Sequence, residues 1–474
     1  MKRQRLRFKL LALFFFGLFA ALAVYGGYSV LTNGSRWFAS SHNSRVRSQK
    51  QQVTAGNILD RDGAVLAYTA DDQRRYSDDE ATRRALVHTL GDADGLVRNG
   101  VESFHASYLY GFRATVFEQI SQLFSGAQSQ GDTVQLTLSA PLSVTMASAL
   151  EQAGGEADAK GAAVVMNWKT GEILSMISLP TFDPESASEA AGTGAAVNRA
   201  TEGLYRPGSV FGVVTGSAAL QDSADLSAAV FDCSATVCYV GDEAVPGAET
   251  EAHGPVTLSE AFAAGCDRML AAVAVSVGDS ALRQAAEHFG CGDNFLFDDL
   301  IIENSIYPSA AGDALTTARR GIGLDGTETD SGLQGGILMT PLHLCMITSA
   351  IANDGVMMEP KLLLRVTSPS GAARASLRPA AYRICVDSQT AAALKSWMRS
   401  ASAIGPASAA AVEGLPVCGK TGSGDNCAVY VGFIDDSQFP YAVCVLIEGG
   451  TEADAAMAAA QAFAWLQASS DAVP

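Results

Sequence analysis

Gly161-Ala162-Ala163-Val164-Val165-Met166-Asn167-Trp168-Lys169-Thr170-Gly171-Glu172-Ile173-Leu174-Ser175-Met176-Ile177-Ser178 is the stretch on which the fold turns. Two apolar runs, residues 161–166 and 172–178, flank a segment holding the Asn, Thr and Gly that turns favour, so a β-hairpin is expected. Toward the C-terminus, residues 415–423, 428–434 and 441–447 form three more short apolar runs separated by Gly, Asp and Pro, the pattern of antiparallel neighbours. A helix is expected from Glu452 to Gln467, with Thr451 and Glu452 suited to its N-terminus. Upstream, residues 134–138 alternate as a strand, and Pro141 to Gln152 reads as a helix. Two strands early, three late, and helices between and after them imply an α+β domain with an antiparallel sheet covered by helices. The Ala/Gly/Ser-rich run Ala187 to Ala196 is expected to be a mobile loop. Near the N-terminus, Asp62-Gly63 between two apolar runs within residues 55–67 predicts another hairpin.

A chain of 474 residues exceeds one ordinary core, and 48% hydrophobic with 17% charged residues is a globular composition. Fifty acidic against 32 basic residues give a formal charge of −18, which excludes nucleic acid as a partner because phosphate binding needs clustered Lys and Arg. The basic residues that do cluster, Lys2, Arg3, Arg5, Arg7 and Lys9, precede an apolar run over residues 10–31. That run would span roughly 33 Å as a helix, enough to cross a bilayer core. The positive-inside bias places residues 1–9 in the cytoplasm and the bulk outside. Ala21-Leu22-Ala23 also resembles a cleavage site, but the apolar run continues past it, which favours an uncleaved single-pass anchor. Of nine cysteines, Cys233 and Cys238 in a short polar stretch are the one pair considered for a disulfide, while Cys345 and Cys444 read as buried small hydrophobes. No Cys/His spacing suits zinc, so neither a metal site nor a cofactor is expected.

Several motifs follow one another in order: Lys169-Thr170-Gly171-Glu172-Ile173-Leu174, Phe182-Asp183-Pro184, Asn198-Arg199-Ala200-Thr201, and Tyr205-Arg206-Pro207-Gly208-Ser209-Val210-Phe211. Gly335-Gly336, Thr340-Pro341, Ile351-Ala352-Asn353-Asp354-Gly355 and Cys418-Gly419-Lys420-Thr421-Gly422 continue the string. Together with the Gly56-Asn57-Ile58-Leu59-Asp60-Arg61-Asp62-Gly63 box, this resembles the class B penicillin-binding proteins, with Ala55 in place of the box's leading Arg. The resemblance implies a β-lactamase-like transpeptidase domain, with a five-stranded antiparallel sheet, flanking helices and a helical subdomain, over residues 131–470. It also implies a small pedestal module over 32–130, behind the anchor at 10–31 and the cytoplasmic tail at 1–9.

The same resemblance assigns roles. Serine transpeptidases carry SxxK, SxN and KTG motifs. Ser209 falls at the nucleophile, just after the Pro207-Gly208 break, although read locally it is an ordinary helix N-cap. The base should lie one helical turn on, yet position 212 is Gly, which has no side chain to accept a proton and weakens a helix by about 1 kcal/mol. After Leu258-Ser259-Glu260-Ala261-Phe262, the second motif falls on Gly265-Cys266-Asp267, so the relay serine becomes Gly265 and the substrate-binding Asn becomes Asp267. Asp267 is expected either to pair with Lys420 or to be a solvated helix residue. Lys420, Thr421 and Gly422 keep the third motif, implying support of the relay and a hold on the substrate or penicillin carboxylate. His253 and His343 are read as surface or structural residues. An ordinary aspartate, with a pKa near about 3.9, is a poor base for a serine hydroxyl.

The expected function is therefore a transpeptidase-like protein of peptidoglycan synthesis that is catalytically impaired and acts as scaffold or regulator. Stem peptides or β-lactams would occupy its cleft, and other wall-synthesis proteins would be its partners. The alternative is an active D,D-transpeptidase that forms an acyl-enzyme on Ser209. A β-lactam sensor is disfavoured, since residues 1–9 leave no room for a signalling module.

Overall fold

The structure is a computed structural model, and it describes residues 2–39, 53–113, 129–155, 159–222, 229–248, 251–329, 332–424 and 426–471. Helix α1 (Lys2–Ala39) contains the segment Lys9–Ser29, which is long and apolar enough to cross a membrane and has no residue buried in the protein.

The next elements are β1 (Ile58–Leu59), β2 (Val65–Ala70), β3 (Gln73–Tyr76), α2 (Glu80–Ala85), β4 (Thr133–Leu136) and α3 (Ala140–Ala153). The hairpin expected at Asp62-Gly63 forms, and Asp60 organises it. Its carboxylate accepts from the backbone N–H groups of Asp62 (2.9 Å) and Ala64 (2.8 Å). The central sheet follows as β5 (Gly161–Asn167) and β6 (Ile173–Leu179), then α4 (Gly212–Asp222), α5 (Leu258–Ala264), α6 (Asp267–Val277), α7 (Ala314–Gly321) and α8 (Pro341–Ala352). A second hairpin, β7 (Leu363–Thr367) and β8 (Ala373–Ser376), precedes α9 (Ser388–Ile404), β9 (Val417–Gly424), β10 (Cys427–Ile434), β11 (Tyr441–Glu448) and α10 (Glu452–Asp471).

Two sheets carry the molecule. The five-stranded sheet runs β9-β10-β11-β5-β6 and every pairing is antiparallel, as expected. Alternate residues of each strand enter opposite cores. Ala162, Val164 and Met166 of β5 and Val429, Val431 and Phe433 of β10 face one, while Ala163, Val165, Ala428 and Tyr430 face the other with Phe463 of α10. Both faces are buried, which is why these strands read in sequence as unbroken apolar runs.

The six-stranded sheet runs β8-β7-β4-β1-β2-β3. It joins strands from both sides of the boundary expected near residue 130, because β4 pairs in parallel with β1 and antiparallel with β7. Thr137 seals the junction of the sheets, its hydroxyl within hydrogen-bonding reach of the carbonyls of Ile173 (2.7 Å) and Lys361 (2.9 Å), to either of which its one proton can be donated. Arg83 of α2 donates to Asp183 (2.7 Å from Nη2), tying the Phe182-Asp183-Pro184 motif to the N-terminal part.

Two expectations are corrected. The run 187–196 is a loop only in its second part: Ala187–Ala190 is a helical turn, residues 191–196 are turns with 191–194 exposed, and Ala187, Ala190 and Ala195 are buried with Phe182 and Val87. Small side chains there allow close packing. Cys233 and Cys238 are both free thiols, and the Cys233 sulfur lies instead 3.0 Å from that of Cys266.

Candidate active site

The site forms where the edge strand β9 meets the start of α4. Gly208–Phe211 is a short 3-10 turn leading into α4, so Ser209 sits at a helix start, where backbone N–H groups lack intrahelical partners. That turn packs on β9 so closely that a Cβ at Gly422 would come within 2.7 Å of the Ser209 nitrogen and 2.6 Å of the Val210 nitrogen. Glycine is therefore required at 422.

On the other side, α5 ends at Gly265 in the left-handed conformation (φ 74°), which glycine tolerates. The N–H groups of Gly265 and Cys266 donate to Phe262 O (3.2 Å) and Ala261 O (2.8 Å), and this capped turn sets Asp267 on the first turn of α6. The Ser209 hydroxyl donates to Asp267 Oδ1. The structure thus brings together Ser209 and Asp267 across the register inferred from sequence. A Cβ at Gly265 would lie 4.0 Å from Lys420 Nζ, so position 265 stands beside the lysine of the third motif.

The expected Asp267–Lys420 pair does not form. Lys420, buried, donates instead to the carbonyl of Thr421 (2.8 Å) and lies 5.7 Å from the Phe262 ring centroid. Nor is Asp267 a solvated helix residue, since it is half-buried with its carboxylate on Ser209. Burial pushes its pKa up to about 6, against the opposing pull of the Lys420 charge and the Ser209 hydrogen bond, with Glu452 adding a further upward push. Burial likewise lowers the pKa of Lys420 from its usual value, partly offset by Asp267 and Glu452. The hydroxyl of Thr421 is buried and has no hydrogen-bond partner among the described residues.

Position 212 faces apolar side chains. A Cβ there would meet Leu270 Cδ1 at 2.9 Å and Phe262 Cε2 at 3.5 Å. His343 is structural as expected: its Nδ1 meets Ser305 Oγ (2.7 Å) and its Nε2 meets Phe289 O (2.8 Å), and burial lowers its pKa to about 4. Among the described residues, no group of three or more His, Cys, Asp or Glu comes together. Sequence reasoning located Asp267 but not its partner, and it missed Leu270 and Phe262. The signal available for these was that α6 and α5 carry apolar residues at helical spacing, facing α4.

The penicillin-binding protein transpeptidase domain model matches residues 161–466. The chain belongs to that family. The peptidoglycan D,D-transpeptidase PbpA of Mycolicibacterium smegmatis is 27% identical over 452 residues, covering 87% of each chain. The D,D-transpeptidase domain of a peptidoglycan glycosyltransferase from Eggerthella lenta superposes with a TM-score of 0.74 at 26% identity, covering 89% of this chain and all of that one. Penicillin-binding protein A of M. tuberculosis, solved as an imipenem acyl-enzyme, gives a TM-score of 0.77 at 24% identity, over 88% of this chain and all of that one, and shares the fold.

Proposed function

We propose that this protein is a membrane-anchored, single-pass member of the peptidoglycan-synthesis machinery, its bulk outside the membrane. Its transpeptidase-like cleft binds stem peptides or β-lactams but has lost the lysine-dependent acylation of the family. It then acts chiefly as a scaffold or regulator alongside other wall-synthesis proteins. The observation that carries this reading is position 212, where the glycine supplies no base and Leu270 and Phe262 press on the place where a side chain would start. A positioned base contributes about 10² to 10⁴ in rate, so acylation should be slower by that order than in a lysine-bearing relative. Side-by-side labelling of the detergent-solubilised full chain and of M. smegmatis PbpA with a fluorescent penicillin measures this. Equal rates would sink the impaired reading.

The second reading is an active D,D-transpeptidase working through an acyl-enzyme on Ser209. It is favoured by one observation, that the Ser209 hydroxyl already donates to a carboxylate. Cross-linking of a synthetic stem-peptide pair at rates comparable to the relative would establish it.

A further inference from the structure

We propose that Asp267 is the proton acceptor for Ser209, so that this chain carries a serine–carboxylate dyad where its family uses serine and lysine. The inference rests on the reading that the cleft still binds an acyl donor, and it adds the residue through which remaining chemistry would run.

The geometry supports it from three directions. Ser209 Oγ donates to Asp267 Oδ1, which is the contact a base makes with the proton it removes. Lys420, the motif lysine beside Asp267, has its ammonium turned to the Thr421 carbonyl. Asp267 is also held firmly. The turn before it is fixed by the two backbone hydrogen bonds at Gly265 and Cys266, and α6 behind it buries Met269, Leu270, Val273 and Ala274.

The step balances without any other reagent. As Ser209 Oγ bonds to the carbonyl carbon of a β-lactam or D-amino-acid amide, its proton passes to the Asp267 carboxylate. When the C–N bond breaks, the resulting carboxylic acid returns that proton to the departing nitrogen, leaving an ester on Ser209. In the second half, an incoming amine or water loses its proton to Asp267 as it displaces the ester, and the proton then goes back to Ser209 Oγ.

The charged groups around Asp267 tune it in opposite senses. Lys420 on β9 favours the carboxylate and Glu452 at the start of α10 disfavours it. On its own helix, Arg268 is turned away, donating to the Asp232 carbonyl (2.7 Å), and the neighbouring Cys266 sulfur faces Cys233. With burial added, the group titrates at about 6, so it is ionised at neutral pH yet more basic than an exposed aspartate. That places it closer to the range in which a general base is effective.

The test uses the full chain in detergent and a fluorescent penicillin, with the Ser209 adduct read by intact mass across a pH series. Non-covalent binding of the same probe is followed by anisotropy in Ser209→Ala. The expected result is slow labelling that is absent in Ser209→Ala and falls about tenfold per pH step below about 6. Asp267→Asn should slow it about 100-fold or more and remove the inflection. Asp267→Glu, which keeps an acid of different reach, should be slow but retain a pH limb. Labelling of Asp267→Asn within a few fold of wild type, or a flat profile in the folded wild type, overturns the dyad. Binding without any adduct at any pH overturns the dyad and leaves the peptide-binding reading intact. Loss of binding itself overturns both.

Discussion

Replacing Asp267 by Asn should stabilise the protein, and by an amount that depends on pH. In the native state burial raises the Asp267 pKa to about 6, whereas in the unfolded chain it returns to about 3.9. A group raised in this way contributes stability that is fully present below the unfolded value and is lost as pH rises through the folded one. Two pH steps at about 1.4 kcal/mol each, trimmed because the residue keeps some exposed surface, make the ionised carboxylate cost about 2–3 kcal/mol at neutral pH. Asparagine keeps an acceptor for the Ser209 hydroxyl without the charge. Its advantage over wild type should therefore be under about 1 kcal/mol at about pH 4.5 and grow to about 2–3 kcal/mol at about pH 7.5. In thermal unfolding of the detergent-solubilised chain, followed by circular dichroism, that growth corresponds to a Tm gain on the order of 2 °C. If the Asn variant gains equally at both pH values, or loses at the higher one, the carboxylate is not the desolvated group described above.

Three further outcomes are expected. Lys420→Met removes the charge that draws the Asp267 pKa down, so the inflection in Ser209 labelling should move above about 6; an unmoved inflection would show that the two groups do not interact. Asp279→Ala should cost about 1.5–3 kcal/mol in urea unfolding, because buried Arg320, which donates to Asp279 at 2.6 Å, would lose one charged partner while keeping Asp325 at 2.8 Å. Alkaline carbonate should leave the full chain in the membrane pellet, and deletion of residues 1–29 should release it, since Lys9–Ser29 is the segment apolar enough to span.

The central sheet was legible because both its faces are buried, which writes each strand as a continuous apolar run bounded by turn residues. The six-stranded sheet was not. Its β1 is only Ile58–Leu59; its partner Val134, and Val366, which pairs with Val134 in turn, lie far along the chain, so local pattern gives no hint of the pairing. At the site, motif order located Ser209, Gly212 and Asp267, but the choice Asp267 makes between Ser209 and Lys420 depends on burial and on where the lysine finds a carbonyl, neither of which spacing encodes. The helical turn at Ala187–Ala190 was missed for a related reason. Alanine and glycine are as much the means of close packing as of looseness, and here Phe182 and Val87 make use of it.

The insertion of β7 and β8 into the sheet begun by β1 has a practical consequence for anyone dissecting this protein. A fragment starting at residue 131 would strip β1 from β4 and leave that strand's hydrogen-bonding groups facing water. Such an edge invites pairing with another molecule, so a shortened version prepared for crystallisation or screening should be cut before Val53, where the woven part begins, and not at the apparent seam between modules.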